Sequence, residues 1–226
     1  MDNPLYNQTS FRKASGRTLR PGGLAITQKG LEICAWPEKA LVADIGCGIG
    51  ASMELMKSMG LNPIGLDICQ ASLREARMNS GCPTILGRAE ELPWPNAYLD
   101  GLICECVLSL TDDQCLVLRE FYRVLKAGGK LLLADISLSS INNNSPLMNQ
   151  IFLRGATHPE ITLDRLSDAG FAVKQVNEYP EALEKLAVQL VWNGSADLKT
   201  WLGSFRPPGN CRNKYSYIQW IAEKME

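Results

Sequence analysis

Gly46-Cys47-Gly48-Ile49-Gly50-Ala51 satisfies the pattern G-x-G-x-x-G/A, and each part of that pattern has a chemical use. Glycines permit a sharp turn and let backbone approach a ligand closely, while a helix opening directly after them offers free amides to an anion. Asp67 follows Gly46 by 21 residues, the place from which a carboxylate accepts hydrogen bonds from ribose hydroxyls. Loop and acid together imply a nucleotide-like ligand, and to this point a nicotinamide dinucleotide fits as well as any other. The remaining residues with chemical potential are Glu105, the single histidine His158 in Thr157-His158-Pro159, and the thiols Cys104 and Cys106. Each has a plainer reading beside it: a loop acid in solvent, a surface or packing histidine, and small buried hydrophobes.

Asp44 separates the ligand candidates. It stands two residues before the first glycine, inside the otherwise apolar run Leu41-Val42-Ala43-Asp44-Ile45, where a carboxylate is costly to bury without a partner. A pyrophosphate would be repelled by it. The amino group and sulfonium of S-adenosylmethionine would not. The alternative is a carboxylate satisfied by the backbone amides of its own loop.

The elements that must position these residues follow from apolar period and punctuation. Short β-type runs alternate with helical patterns: Leu41–Ile45, then Met53 to Met59 ending at Gly60; Pro63–Leu66, then Ser72–Met78 with Gly81 as a stop; Pro83–Leu86; and Leu99–Cys104. Thr111-Asp112-Asp113-Gln114 has the spacing of a capping box opened by Thr111, with a helix to about Leu125 halted by Gly128-Gly129 before a strand Lys130–Ile136. Such alternation predicts parallel pairing with right-handed crossovers and an α/β sheet covered on both faces. A short helix after Thr162 stops at Gly170, Phe171-Ala172-Val173 opens another strand, and Tyr215–Ile221 returns as the last one. The stretch 180–214 between them is too long for a tight hairpin and reads as a helical insertion. Its Trp192, Trp201 and Phe205, with Tyr215 and Tyr217, read as that insertion's own core rather than as an acceptor pocket.

Four segments in order carry a family resemblance. Asp44-Ile45-Gly46-Cys47-Gly48-Ile49-Gly50 resembles motif I of class I S-adenosylmethionine-dependent methyltransferases, and Asp67 matches the acid ending their second strand. Gly87-Arg88-Ala89-Glu90-Glu91-Leu92-Pro93-Trp94-Pro95 is similar to the segment after their third strand. Leu99-Asp100-Gly101-Leu102-Ile103 and Arg123 to Lys130 resemble the fourth-strand motif and the turn into strand five of the small-molecule, type 11 branch. The resemblance implies a Rossmann-like α/β fold with a seven-stranded, mostly parallel sheet and an antiparallel last strand. It implies S-adenosylmethionine as cofactor and S-adenosylhomocysteine as product. Gly46, Cys47, Gly48 and Gly50 would then approach the methionine part, Asp44 its amino group, Asp67 the ribose, and Ile68 the adenine face. Ala89 and Glu90 would meet the adenine edge. Arg88 departs from the family, whose members commonly carry Asp there, so adenine recognition would rest on backbone groups or on Glu90. Glu105 would line the junction of cofactor and acceptor, and the double glycine of Arg20-Pro21-Gly22-Gly23 would let Gly22 and Gly23 lie against the cofactor.

Methyl transfer from a sulfonium is an in-line displacement with an activated donor, so positioning and water exclusion supply most of the catalysis and a base is optional. Glu105 and His158 are the candidate bases. The sequence assigns no catalytic residue and no metal. Two further readings stay open: methylation of arsenite or another thiol-bound soft acceptor, which Cys104 and Cys106 would recruit, and an NAD-dependent oxidoreductase on the same nucleotide fold. A non-catalytic cofactor-binding protein is a third.

Composition sets the outer bounds. Of 226 residues, 46% are hydrophobic and 21% charged, which suits a globular chain and excludes disorder. Lys and Arg number 23 against 24 Asp and Glu, leaving no cationic excess for a phosphate backbone. A small-molecule methyl acceptor is therefore expected rather than nucleic acid. No apolar run approaches a membrane span and the first twenty residues lack a signal-peptide pattern, so the eight cysteines read as reduced thiols of a cytoplasmic protein. The expected organisation is a single methyltransferase domain over 1–226: an N-terminal cap (1–36), a cofactor-binding core (37–136) and a C-terminal part (137–226) with the insertion at about 180–214. The acceptor and the oligomeric state leave no signature.

Overall fold

In the computed structural model, residues 18, 20–138, 155–183, 185–186 and 215–225 are described. Helix α1 (Gly23–Cys34) leads into strand β1 (Leu41–Ile45), α2 (Ala51–Ser58), β2 (Asn62–Asp67), α3 (Gln70–Ser80), β3 (Thr84–Leu86) and β4 (Leu99–Glu105). After a single 3-10 turn at Leu108–Leu110 come α4 (Gln114–Val124), β5 (Leu125–Leu138), α5 (Pro159–Asp168), β6 (Phe171–Tyr179) and β7 (Tyr215–Lys224). The seven strands form one sheet in the order β3-β2-β1-β4-β5-β7-β6. Pairing is parallel from β3 to β5, and β7 runs antiparallel to both β5 and β6. This is the α/β sheet with an antiparallel last strand that the alternation and the resemblance implied.

Strands β1 and β4 alternate between two covers. Ala43, Ile45, Leu102 and Cys104 enter a core with α4 and α5, while Val42 and Ile103 enter another with α1, α2 and α3. Being buried on both faces is why these strands read as continuous apolar runs. The switch from β1 to β4 in the strand order opens a crevice at the C-terminal ends of the parallel strands, where ligands of such sheets bind.

Three local expectations change. The cap of α4 is Asp113, whose side chain accepts from the Leu116 amide at 2.9 Å, whereas the Thr111 hydroxyl turns back to the Leu108 carbonyl at 2.8 Å. Gln114 is not the box's partner either, since its amide donates to the Gly155 carbonyl at 2.8 Å. Helix α4 ends at Val124, close to the expected Leu125, but β5 begins directly at Leu125 rather than at Lys130, since Leu125 already pairs with Leu99 across a register shift. Helix α5 begins at Pro159, three residues early, with proline in its first turn where the missing amide costs nothing. The set of apolar residues assigned to the insertion also divides: Tyr215 and Tyr217 belong to β7 and are buried in the main body, while Trp192, Trp201 and Phe205 lie outside the described residues.

Helix α1 lies on the sheet at β5 and β7. Gly30 permits the close approach, since a Cβ there would stand 2.4 Å from Leu132 Cδ1 and 2.6 Å from Gln219 Nε2. The fully buried Gln219 donates to the Ile26 carbonyl at 3.1 Å and accepts from Asn177 at 3.3 Å. One side chain on β7 thereby ties the N-terminal helix to the far end of the sheet.

Candidate active site

The loop after β1 is held by its own backbone and by Asp67. The Gly46 and Cys47 amides both donate to the Leu66 carbonyl, at 2.7 and 3.1 Å. Asp67, at the end of β2, accepts the Gly48 amide on Oδ2 and the Cys69 amide on Oδ1, each at 2.8 Å. Its carboxyl is held above its ordinary pKa by burial, against the pull of those amides. Gly46 is left-handed at φ 72°, and a Cβ on it would collide with Val107 Cγ2 at 2.2 Å, so this glycine is required by packing. Gly48, left-handed at φ 52°, differs: nothing lies within 4 Å of where its Cβ would be. The open space there is the cradle into which a ligand's atoms can come against the loop. Cys47 turns its thiol inward beneath the loop, toward Gly65 of β2.

Asp44 is 4% exposed, and its Oδ2 makes no hydrogen bond. Burial pushes its carboxyl up to about 8; Arg20 works against that rise, while Glu105 and Asp67 add to it. The possibility of a carboxylate satisfied by its own loop is thus excluded for that oxygen. A buried acid with a free acceptor oxygen is a strong demand for a cationic or donating ligand.

Glu105 departs from the loop-acid reading. It ends β4, is 8% exposed, and forms an ion pair with Arg20 at 3.1 Å. It also accepts from Thr27 Oγ1 at 2.9 Å and from Ser52 Oγ at 3.4 Å. Arg20 in turn donates to Thr27 Oγ1 at 2.6 Å and Ser52 Oγ at 2.8 Å. Four residues from the lead-in, α1, α2 and β4 therefore share one buried network beside Asp44. Gly22 and Gly23, both left-handed, turn the chain between Arg20 and α1. Sequence reasoning missed Arg20, Thr27 and Ser52. The available signal was a cation two residues before the double glycine.

The other sequence-predicted residues gather at the ends of β2 and β3. Ile68 is 64% exposed and Leu86, paired in register with Asp67, is 55% exposed. These two apolar side chains leave a surface suited to a flat ring. Arg88 reaches solvent and pairs with Glu90 at 3.3 Å, and Ala89 is buried in the core. An open groove of about 650 Å³ between α1 and β6, lined by Lys29, Ile33, Val176 and Tyr179, contains none of these residues. The predicted site residues thus gather at the crevice of the strand ends and not in this groove.

The thiols do not converge. A spacing of two puts strand residues on one face, but Cys106 is left-handed at φ 57° and turns the chain. Cys104 therefore packs into the α4 core and Cys106 against Ala134, Ile136 and Tyr217. Burial holds both thiols well above their ordinary pKa, the inert form. Among the described residues no group of three metal-ligating side chains gathers, and neither the soft-acceptor nor the dinucleotide reading gains support. His158 caps α5, its Nε2 buried without a hydrogen bond.

Sheet order, glycine loop and paired acids are together those of the class I methyltransferase fold. Residues 43–133 match the family described as Methyltransferase domain. Over 105 residues the chain is 29% identical to a malonyl-[acyl-carrier protein] O-methyltransferase of Hamiltonella defensa, spanning 46% of this chain and 41% of that protein. The chain spans about two fifths of the length of the first such relatives it matches. Phosphoethanolamine N-methyltransferase 2 of Haemonchus contortus has the same fold, with a TM-score of 0.81 at 16% identity over 98% of this chain and 58% of that one. So has the [4+2]-cyclase SpnF, with a TM-score of 0.74 at 19% identity over 89% and 80% of the two chains. A shared fold of this kind leaves the acceptor, and even the reaction, to the site.

Proposed function

We propose that this protein transfers a methyl group from S-adenosylmethionine to a small-molecule acceptor by in-line displacement, as a single domain in which residues 1–36 cap the donor site. The observation that carries the reading is Asp44, a buried acid with an unpaired oxygen beside an open glycine cradle. In this reading Asp44 takes the ammonium of the cofactor's amino-acid part. Arg20, whose Nε is also buried without a partner, takes its carboxylate. The amides and open face of Gly46, Cys47, Gly48 and Gly50 border the methionine chain, and Asp67 uses its remaining lone pairs on the ribose. Ile68 and Leu86 flank the adenine, with Ala89 and Glu90 at its edge and Arg88 holding Glu90.

The bound cofactor supplies an electrophilic methyl on a sulfonium, so the chain's task is to bind, orient and keep water out. Glu105 contributes by holding Arg20 in place. Occupied by three donors, it acts as a positioning group before it acts as a base. A near-zero net charge favours a small acceptor over a polyanion. Among the described residues no helix is long and apolar enough to cross a membrane, which accords with a cytoplasmic enzyme on soluble substrates.

Calorimetric titration with S-adenosylmethionine, S-adenosylhomocysteine and NADH tests the reading, followed by an acceptor screen with methyl-labelled cofactor. Binding of both sulfur compounds and not of NADH is expected. Binding of NADH alone would overturn it.

A further inference from the structure

Among the described residues, six buried side-chain nitrogen or oxygen atoms make no hydrogen bond, and three of them, Asp44 Oδ2, Arg20 Nε and the Tyr217 hydroxyl, belong to residues that interact electrostatically with Glu105. The first two answer to the charged ends of the cofactor's amino-acid part. The third is unassigned. Tyr217 is fully buried on β7, paired in register with Ile136 of β5, two residues beyond the level where Glu105 pairs with Ala134. It shares a buried cluster with Ala134 and Ile136, against which Cys106 packs, and the charges of Glu105, Arg20 and Asp135 act on it. The Cys106 thiol is close enough to interact with it, but a thiol is a weak partner, and no proper hydrogen bond satisfies the hydroxyl. A buried polar group left unpaired costs stability and calls for a use.

We propose that Tyr217 presents its hydroxyl oxygen to the transferable methyl group of the cofactor and forms the wall between the donor and acceptor sides of the site. The proposal rests on the methyltransferase reading and adds a residue to it. A methyl on a sulfonium carries positive charge on its hydrogens, and a phenol oxygen with free lone pairs is a suitable acceptor for weak C–H···O contacts. Burial and the nearby acids keep the phenol firmly protonated. A neutral phenol orients the methyl without competing as a nucleophile for it, since only a phenolate would attack readily. Because the thioether product lacks that methyl, the contact favours the substrate form of the cofactor over the product form.

Tyr217→Phe removes the oxygen and keeps the ring. Titration of the full chain with each cofactor form should show S-adenosylmethionine affinity falling about two- to fivefold, with S-adenosylhomocysteine affinity unchanged and a melting temperature equal to or above wild type. An unchanged ratio of the two affinities, or a parallel loss of both, overturns the proposal while leaving the methyltransferase reading intact. A wild-type chain that binds neither compound overturns both. A second measurement needs no variant: the methyl protons of carbon-13-labelled cofactor should move downfield on binding to the wild-type chain, and an unmoved resonance in the bound state counts against the contact.

Discussion

Replacing Asp44 by Asn should make the protein more stable and a poorer binder of its cofactor. The folded chain holds this carboxyl at about 8 against 3.8 for the free group, chiefly because burial penalises the charge. A folded value raised above the unfolded one means that the acid subtracts stability as pH rises. The penalty is absent below about pH 4, grows by about 1.4 kcal/mol per pH unit between 4 and 8, and levels off above. At pH 7 it is on the order of 4 kcal/mol. Asn carries no such penalty but leaves buried amide groups short of partners, at about 1–3 kcal/mol. The net expectation is a gain of about 1–3 kcal/mol, or a few degrees in melting temperature for a domain of this size, larger at pH 8 than at pH 5. The ammonium of the cofactor loses a charge-assisted partner worth about 1.5–3 kcal/mol, a drop in affinity of about 10- to 150-fold. Calorimetry with S-adenosylhomocysteine at pH 6.5 in two buffers of different ionisation enthalpy reads the proton directly. The wild-type chain should release close to one proton on binding, and the Asn variant none. A variant that is less stable at pH 8, or that binds with wild-type affinity, would refute the assignment.

Two further outcomes follow from other groups. Asp67→Ala removes the acceptor of the Gly48 and Cys69 amides and should weaken cofactor binding by about 1–3 kcal/mol, so an unchanged calorimetric affinity would take Asp67 out of the site. Asp135→Ala strands the Ser109 and Ile136 amides that its carboxylate now receives, both at 2.8 Å. It should lower stability by about 1–4 kcal/mol in urea unfolding, and a variant as stable as wild type would show that this buried acid does not pin the segment after β4.

The parts of the site legible in the sequence are those whose chemistry is local. Gly46 to Gly50 signal a turn because glycine reaches left-handed backbone, and Asp67 stands at a fixed spacing because one strand and one helix separate it from the loop. Glu105, Arg20, Thr27 and Ser52 are different: 85 residues separate Arg20 from Glu105 and 78 separate Thr27 from it, so only the packing of α1 over the sheet brings them together. Asp44 was conspicuous as a carboxylate in an apolar run, yet its lack of a partner is a property of the fold. The cap at Asp113 was obscured by Thr111 and Asp112, since three adjacent residues share the same capping chemistry. Cys106 shows the limit of periodicity, because one left-handed residue reverses the face that a two-residue spacing implies.

The bond from Gln219 to the α1 backbone has a bearing on when the proposed donor site is assembled. Strand β7 leaves the ribosome after every other strand of this sheet, and it carries both the residue that seats α1 and a tyrosine that feels the charge of Glu105. A nascent chain that has made everything up to β5 possesses the glycine loop, Asp67 and the β5 side of the seat for α1, but lacks the Gln219 bond to the helix that carries Thr27. Under the proposed function, full assembly of the donor site therefore waits for β7, and proteolytic loss of that strand would loosen the site from a position remote in sequence from its glycine loop.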